Sequence, residues 1–465
     1  MMVSVFSPRP LSGAVRVPGD KSISHRALLL AALAEGRSVI RGLGDGVDVG
    51  STMAAVRRLG ATVTVEAAWP RPVVVVDSPG RDGLSEPDDV VDAGNSGTTA
   101  RLALGLAAGL PFTTVLTGDE SLRRRPMGRV SEPLRAMGAV ISGRSEGRLL
   151  PLAVRGARLR AIDWALTVAS AQVKTALILA ALGAAGTTRL TEPWPTRDHT
   201  ERILPVFSGE IERRPASVGT SAEGMSAPAG TTLVVPGGQV LRPAEVDVPA
   251  DPSSAAFFLT AAAATPGSEV VAEGISLNPG RVAFLQVLSE MGAEVHLWTT
   301  GDGYEPYGDV TVRSGRDGLR SVTITGERVP SLIDELPVLA VAAGVARGRT
   351  VIMGAGELRH KESDRLEGTA ALLRLFGAEV EVKGDDLVIE NGGTAKGQGD
   401  EGHAVYDCHG DHRLAMAAAI AACVSGRRLS IEGAGCVAIS YPGFWRDLAS
   451  LGAEVTEWSV PEVDE

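Results

Sequence analysis

Apolar and polar positions follow one pattern that recurs roughly every 80 residues along the chain. Each copy has an Ala- and Leu-rich stretch, a short β-branched run, a variable loop, an amphipathic stretch, and a glycine turn into a second β-branched run. This order predicts helix, strand, loop, helix and strand, with the glycine ending the second helix in a left-handed conformation. The six glycines are Gly60, Gly138, Gly209, Gly292, Gly377 and Gly452, and the copy at Gly209 is degenerate. The sequence therefore predicts six copies of one α/β unit.

The Ala-rich stretches are apolar on nearly every face, which predicts helices buried inside a domain. Segments 176–185 and 336–346 are examples, and both are too short to span a bilayer. Their small side chains would let several such helices pack closely. One unit is too short to be an independent domain, so we group three units into each of two domains.

Two similar segments, 15–20 and 246–251, mark the joints between the domains. Each contains a proline and precedes an Ala-rich stretch. We therefore expect one domain at 19–245 and a second made of 1–18 plus 246–465, so that the chain crosses between them twice. The Gly- and Ser-rich segments 216–230 and 392–402 predict loops.

Composition excludes several classes of function. The 465-residue chain is 44% hydrophobic and 22% charged, as globular proteins are. Its net charge of -11 argues against nucleic-acid and anionic-membrane partners, although a local cluster of cations still suits small anionic substrates. The three cysteines show no paired spacing, and the N-terminus lacks a basic segment followed by an apolar one. We therefore expect a cytoplasmic protein.

Polar residues concentrate at the starts of the Ala-rich helices and in the loops after the first strands. If the copies are equivalent, these residues gather on one face of each domain, where helix N-termini favour phosphate and carboxylate groups. A run of charges is usually a solvated surface, but recurrence at equivalent places favours an anion site. The segments are 21–26, 95–101, 123–125, 170–174, 197–199, 334–335, 360–365 and 411–413.

Several of these segments also have a purely structural interpretation. Ser22 is suited to cap a helix, and for Asp334 a capping role is as well supported by the sequence as a functional one. Segment 251–254 has little functional character, and we expect it to be structural. The mixed cluster at 407–412 has no partner set with zinc-like spacing, so we expect no metal site.

Five motifs together resemble those of the 5-enolpyruvylshikimate-3-phosphate synthases, in order and spacing along nearly the whole chain. They are 18–22 with Arg26, 94–98, 125–126, 361–365 and 411–413. Segments 170–174 and 197–200 resemble the variant class that includes glyphosate-tolerant bacterial enzymes. The resemblance implies an α/β (α+β) fold, a two-domain inside-out α/β barrel of six βαβαββ repeats, three per domain, with the active-site cleft between the domains.

The resemblance also implies the activity of a 3-phosphoshikimate 1-carboxyvinyltransferase. Such a transferase moves the enolpyruvyl group of phosphoenolpyruvate to the 5-hydroxyl of shikimate 3-phosphate by addition and elimination. The reaction belongs to the shikimate pathway, which leads to chorismate and the aromatic amino acids. Its partners are the two small-molecule substrates, with no cofactor, metal, nucleic acid or membrane, and we expect a monomer.

Site residues follow from the resemblance, motif by motif. The implied catalytic residues are Asp334 for the substrate hydroxyl, Glu362 for proton transfer at C3, and Lys21 for proton transfer at the oxygens. The implied shikimate 3-phosphate site comprises Lys21, Ser22, Arg26, Ser170, Gln172, Arg197, Asp334 and Lys361. The implied phosphoenolpyruvate site comprises Lys21, Gly97, Arg125, Gln172, Arg365 and Arg413, and Asn95 is a further implied substrate contact.

Three positions depart from the pattern of many family members. Ile439 stands where many members have a lysine, which removes one contact to phosphoenolpyruvate. Ala171 stands where many have a second serine that binds the substrate phosphate. Leu102 replaces a common proline, although Gly97 keeps the small residue typical of glyphosate-sensitive members.

Three alternatives remain at this point. UDP-N-acetylglucosamine enolpyruvyl transferases share the fold and reaction, but usually carry a cysteine in the second-repeat loop and Lys-Asn at the first helix start. Here those places hold 123–125, all arginine, and Lys21-Ser22, and all cysteines lie after residue 400. A non-catalytic anion-binding protein would not need Asp334, Glu362 and Lys21 together. An RNA-phosphate cyclase is disfavoured by the acidic charge.

Overall fold

The computed structural model describes residues 1–68, 71–216, 230–391 and 404–458. The predicted loops 216–230 and 392–402 lie almost wholly outside these ranges. The chain divides into two compact units, Gly19–Val248 and a second made of Met1–Pro18 with Pro249–Glu465. We call them the contiguous unit and the composite unit. The boundary falls slightly later than the expected 245, because the strand Glu245–Asp247 pairs in parallel with Glu35–Arg41 of the contiguous unit.

The chain opens with two strands of the composite unit, β1 (Met2–Phe6) and β2 (Ser12–Val15). The contiguous unit then supplies α1 (Lys21–Leu33), β3 (Glu35–Arg41), α2 (Val47–Arg58), β4 (Thr62–Glu66), β5 (Val73–Pro79), β6 (Val91–Asp92), α3 (Gly97–Ala108), β7 (Thr113–Thr117), α4 (Gly128–Met137), β8 (Val140–Gly143), α5 (Arg144–Gly147), β9 (Leu152–Arg155), β10 (Asp163–Ala165), α6 (Ala171–Ala181), β11 (Thr187–Glu192), α7 (His199–Ile203), β12 (Glu212–Pro215), β13 (Thr231–Pro236) and β14 (Glu245–Asp247). Short 3₁₀ helices lie at Arg81–Gly83, Leu122–Arg124 and Leu204–Phe207.

The rest of the composite unit follows the second crossing. Its elements are α8 (Pro252–Ala264), β15 (Glu269–Ser276), α9 (Ala283–Glu290), β16 (Glu294–Gly301), β17 (Tyr307–Arg313), β18 (Thr323–Ile324), α10 (Val329–Leu332), α11 (Leu336–Val345), β19 (Gly348–Ile352), α12 (Arg365–Leu375), β20 (Glu379–Lys383), β21 (Asp386–Asn391), β22 (Ala404–Asp407), α13 (His412–Ser425), β23 (Leu429–Glu432), α14 (Phe444–Ser450) and β24 (Glu454–Trp458). Two 3₁₀ helices lie at Gly356–His360 and Ala434–Ile439.

Six four-stranded sheets, three in each unit, share one topology within the described residues. In each sheet an edge strand pairs in parallel with its neighbour, and the remaining strands are antiparallel, as in β14-β3-β5-β4. In the composite unit β1 lies between β23 and β24, and β2 forms the parallel edge beside β15. The prediction of six copies of one α/β unit, three per unit of the fold, is confirmed.

The Ala-rich helices are buried, as their apolar composition requires. They are α1, α3 and α6 in the contiguous unit and α8, α11 and α13 in the composite unit. Small residues allow very close packing: a β-carbon added to Gly105 of α3 would lie 2.2 Å from the carbonyl oxygen of Ala176 in α6. No helix within the described parts of the chain is long and apolar enough to cross a membrane.

The predicted glycine turns are confirmed at five of the six places. Gly60, Gly138, Gly292, Gly377 and Gly452 have φ values between 82° and 113°, in the left-handed region. At the degenerate copy the left-handed residue is Ser208, with φ 61°, one position before the expected Gly209. There α7 continues into the 3₁₀ helix Leu204–Phe207, which ends on that serine.

Candidate active-site residues in each unit

The first buried helix places Lys21 at its start. Asp20, rather than the expected Ser22, caps α1 by accepting a hydrogen bond from the backbone N–H of Ile23 at 2.9 Å. The Nζ atom of Lys21 donates to Oδ2 of Asp48 at 2.9 Å, and both side chains are largely buried. An ammonium group near the positive end of a helix is unfavourable by itself, so Asp48 compensates it. Sequence reasoning missed Asp48, because an acidic residue in the first turn of α2 looks like an ordinary helix-start residue.

Arg26, one turn further along α1, is almost completely buried. Its guanidinium donates to the hydroxyl of Thr200 at 2.8 Å, to the hydroxyl of Thr175 at 2.7 Å, and to the carbonyl oxygen of Ser22 at 2.7 Å. Thr175 lies on α6 and Thr200 on α7, so the side chain joins three helices. This anchoring fixes one guanidinium beside the segment that carries Ser22.

The start of α3 holds two predicted residues next to an arginine. Ser96 caps the helix by accepting from the N–H of Thr99. Asn95 accepts a hydrogen bond from Nη2 of Arg125 at 2.9 Å. A β-carbon on Gly97 would lie 3.3 Å from Nη1 of Arg125 and 2.8 Å from Nη1 of Arg101. The glycine therefore lets two guanidinium groups approach the N-terminus of a helix, a favourable place for an anion.

Gln172 connects the starts of α3 and α6. Its Oε1 accepts from Nη1 of Arg101 at 2.7 Å, and its Nε2 donates to the hydroxyl of Thr98 at 3.0 Å. Ser170 caps α6 by accepting from the N–H of Val173. Arg197 lies in the loop between β11 and α7, where it is partly exposed. Arg101, which sequence reasoning did not select, is thus in contact with the predicted group.

A fully buried ion cluster connects α6, β11 and α7. Nζ of Lys174, on α6, is 2.7 Å from Oε1 of Glu201 on α7 and 3.0 Å from Oε2 of Glu192 at the end of β11. All three side chains are almost inaccessible to solvent. The cluster ties the helix that carries Gln172 to the loop that carries Arg197.

In the composite unit three cations surround one carboxylate. Oδ1 of Asp334 is 3.5 Å from Nη1 of Arg365, 3.9 Å from Nζ of Lys361 and 4.0 Å from Nε of Arg413. Asp334 does not cap α11, whose N-terminal flanking residue is Glu335 and makes no capping hydrogen bond through its side chain. The capping alternative for Asp334 is therefore wrong.

Arg365 is the buried centre of this group. It forms ion pairs with Glu362, at short distance, and with Asp411 at 2.8 Å. Burial alone would lower the pKa of Arg365, but the nearby carboxylates of Asp411, Glu362 and Asp334 raise it above its ordinary value. Asp411 also caps α13 by accepting from the N–H of Arg413 at 2.9 Å. The guanidinium is therefore a permanent charge that organises three carboxylates.

All predicted residues of the composite unit meet in this one group, namely Asp334, Lys361, Glu362, Arg365 and Arg413. Asp411 is a sixth member, to which the sequence motif gave no separate role. In contrast, Asp251 is structural, as expected: it caps α8 and pairs with the buried Arg281 at 2.8 Å.

Comparison with solved structures gives the class to which this fold belongs. Over 98% of the chain the structure is similar to an EPSP synthase from Acinetobacter baumannii, which it covers completely, with a TM-score of 0.81 and 35% sequence identity. The enolpyruvyl transferase NikO from Streptomyces tendae shares the fold at a TM-score of 0.76 and 19% identity, with 99% of each chain covered. The fold is that of the enolpyruvyl transferases.

Sequence comparison identifies the family within that class. The family model of EPSP synthase (3-phosphoshikimate 1-carboxyvinyltransferase) matches residues 5–448. The chain is 48% identical over 453 residues to the 3-phosphoshikimate 1-carboxyvinyltransferase of Pelotomaculum thermopropionicum, covering 97% of this chain and 99% of the relative. The chain belongs to the EPSP synthase family and is therefore an enzyme, a transferase of the shikimate pathway. The family expected from the motifs is confirmed.

Proposed function

We propose that this enzyme transfers the enolpyruvyl group of phosphoenolpyruvate to the 5-hydroxyl of shikimate 3-phosphate. The proposal rests on the group around the buried guanidinium of Arg365. Asp334 and Glu362 form ion pairs with this guanidinium. Lys361 and Arg413 lie within 4.0 Å of the Asp334 carboxylate. Simple anion binding would need the cations alone. The two partly accessible carboxylates add groups that can accept and donate protons.

The reaction begins with addition. Asp334 accepts the proton of the 5-hydroxyl, whose oxygen attacks C2 of phosphoenolpyruvate. Glu362, protonated once the anionic substrates bind beside it, delivers its proton to C3. The carboxylate of Asp334, with Arg365, Lys361 and Arg413 within 4.0 Å, is the group that can accept the proton of the 5-hydroxyl. Lys361 and Arg413 bind the anionic oxygens of the substrates and stabilise charge that develops on them.

Elimination then reverses the proton transfer at C3. The tetrahedral intermediate loses a proton from C3 to Glu362 as the bond from C2 to the phosphate oxygen breaks, which yields the enol ether and inorganic phosphate. Lys21, held by Asp48, supplies a proton or hydrogen bond to the departing phosphate. The residues of the contiguous unit that serve the same substrates are Ser22, Arg26, Asn95, Gly97, Arg125, Ser170, Gln172 and Arg197.

The test is phosphate release by the purified enzyme. Release should require both substrates, and Glu362→Gln should reduce kcat by at least about 100-fold, because proton transfer by a placed side chain contributes that much. Glu367→Gln is the matched control, since Glu367 is in the first turn of α12 with its side chain about half exposed. It should keep full activity.

Two outcomes would count against the proposal. Equal loss in both variants would show a general effect on folding rather than proton transfer. Phosphate release with UDP-N-acetylglucosamine in place of shikimate 3-phosphate would assign the chain to the other enolpyruvyl transferase reaction.

We further infer that the enzyme acts as a monomer in the cytoplasm. All three cysteines are free thiols, which supports a reducing compartment. One chain supplies every residue in the proposed roles, which supports a monomer. Light scattering at assay concentration should give the mass of one chain, and cell fractionation should recover the enzyme with other cytoplasmic proteins.

A further inference from the structure

Two thiols of the composite unit lie in contact. Cys408 directly follows β22, and Cys436 lies in the 3₁₀ helix Ala434–Ile439. Their Sγ atoms are 3.6 Å apart, which is the distance of an S–H···S contact. Cys408 is buried, whereas Cys436 is partly exposed. The proposed reaction uses neither thiol.

The pair is connected through Asp411 to the buried Arg365 of the charged group. The carbonyl oxygen of Cys408 accepts a hydrogen bond from the N–H of Asp411 at 2.9 Å. Asp411 in turn accepts from Nε of Arg365 at 2.8 Å and caps α13. Cys436 lies on the 3₁₀ helix that ends at Ile439, the position where many family members have a substrate-binding lysine. A covalent bond between the sulfurs would therefore join the turn that leads into Asp411 to the 3₁₀ helix that ends at Ile439.

The contact also makes the two thiols unequal in their ionisation. The hydrogen bond from the Cys436 thiol lowers the pKa of the Cys408 thiol, and the same contact raises the pKa of Cys436. Of the two sulfurs, Cys408 is therefore the one suited to take up the proton of Cys436 when that sulfur reacts. The third cysteine, Cys423, is isolated within α13, where burial raises the pKa of its thiol to about 12. It is buried in α13 and takes no part in the contact between Cys408 and Cys436.

We propose that Cys408 and Cys436 form a reversible disulfide on exposure to hydrogen peroxide, and that this disulfide switches the enzyme off. The partly exposed Cys436 sulfur attacks one peroxide oxygen, the O–O bond breaks, and water and a Cys436 sulfenic acid result. The Cys408 sulfur then displaces hydroxide from the sulfenic acid, and the hydroxide leaves as a second water. Two thiols are thus oxidised to a disulfide while one peroxide is reduced to two waters.

Inactivation follows from the geometry of the bond. A disulfide requires an S–S distance of about 2.05 Å, so the sulfurs must approach each other by roughly 1.5 Å. Because the N–H of Asp411 donates to the carbonyl oxygen of Cys408, a movement of the Cys408 backbone toward Cys436 shifts the turn that carries Asp411. Displacement of Asp411 disturbs its ion pair with Arg365, and misplacement of catalytic groups on that scale reduces rates by about 100-fold.

The experiment treats the reduced full-length enzyme with hydrogen peroxide, then blocks remaining thiols and analyses peptides by mass spectrometry. We expect a linked peptide pair containing Cys408 and Cys436, a loss of activity of at least about tenfold, and recovery of activity with dithiothreitol. Cys423→Ser, the matched control, should respond like the unmodified enzyme. Cys408→Ser and Cys436→Ser, assayed first for basal activity, should form no internal disulfide and show no reversible loss.

Each other outcome would overturn part or all of the proposal. Oxidation of Cys436 to sulfinic acid without a linked peptide would overturn the disulfide. A linked peptide with unchanged activity would overturn the switch. Because the linked peptide is detected by mass, failure of the proposed transferase activity would be distinguishable from failure of the thiol chemistry.

Discussion

Ile439 is the residue at which the charged group of the composite unit departs from many members of its family. Within this group three cations, Lys361, Arg365 and Arg413, face the three carboxylates of Asp334, Glu362 and Asp411. The charges balance before any substrate is bound. A trianionic substrate would bind more tightly if the group had a positive excess.

We expect Ile439→Lys to lower the KM for phosphoenolpyruvate by about 3- to 10-fold, because a partly exposed charge pair contributes roughly 1 kcal/mol. The kcat should change less. Steady-state kinetics at fixed, saturating shikimate 3-phosphate would measure both constants. Ile439→Met preserves size without charge and serves as the control, and an equal decrease in KM for Met would refute the electrostatic explanation.

The residues that could be predicted from sequence are those whose chemistry is unusual for their place. Lys21 at a helix start, Arg125 in a loop after a strand, and the carboxylates Asp334 and Glu362 belong to this set. Their partners were not predictable, because contacts such as Lys21 with Asp48 depend on how two helices pack. Thr175 and Thr200, which bind Arg26, look like ordinary helix residues in the sequence.

Close packing between elements depends on single glycines. Gly105 of α3 touches the backbone of α6, and an added β-carbon has no space there. Gly50 of α2 provides a contrast, because nothing lies within 4 Å of the β-carbon that it would gain. Alanine at Gly50 therefore changes helix propensity alone, whereas alanine at Gly105 changes both helix propensity and packing.

We expect Gly105→Ala to lower the free energy of unfolding by about 1–3 kcal/mol, since overpacking against backbone costs more than the improved helix propensity returns. Gly50→Ala should raise it by up to about 1 kcal/mol. Urea denaturation followed by circular dichroism would measure both. A stabilising Gly105→Ala would mean that α3 and α6 separate easily.

The buried ion cluster connects α6, β11 and α7. Removing its only cation should leave two carboxylates buried without compensation, so Lys174→Met should destabilise the enzyme by about 3–5 kcal/mol. Replacing all three members, with Lys174→Met, Glu192→Gln and Glu201→Gln together, should cost less than the single change. Thermal unfolding of the two variants tests this order, and the reverse order would contradict it.

The elements themselves could largely be predicted, because glycine turns and Ala-rich stretches are local signals. Strand pairing was harder to assign, since β1 pairs with β23 and β24 at the opposite end of the sequence. The degenerate turn lies at Ser208 because the 3₁₀ helix Leu204–Phe207 ends there. The serine itself has the left-handed conformation that a glycine has in the other copies.

At the scale of the whole molecule, the two units differ in how their sheets are assembled. All strands of the three sheets in the contiguous unit come from one stretch of chain. Two of the three sheets in the composite unit need a strand from residues 1–18. The contiguous unit therefore completes its sheets from one continuous segment, whereas the composite unit needs two separate segments.

We expect a fragment of residues 19–248 to fold alone and to unfold cooperatively. A fragment of residues 249–465 should remain largely unfolded, because one sheet loses an inner strand and another loses an edge. The same fragment expressed together with a peptide of residues 1–18 should recover native circular dichroism. Folding of 249–465 without the peptide would show that β1 and β2 are dispensable.

The inner position of β1 also has a consequence for synthesis on the ribosome. Val3 and Val5 are fully buried in the finished sheet, yet they are translated long before β23 and β24, the two strands that flank β1. Roughly 200 residues must still be translated after Val248, which takes roughly 10–40 s at typical bacterial rates. During that interval the contiguous unit can fold, while the first strand waits for β23 and β24 with its apolar side chains uncovered. The nascent chain therefore leaves the apolar side chains of β1 exposed to solvent until β23 and β24 have been made.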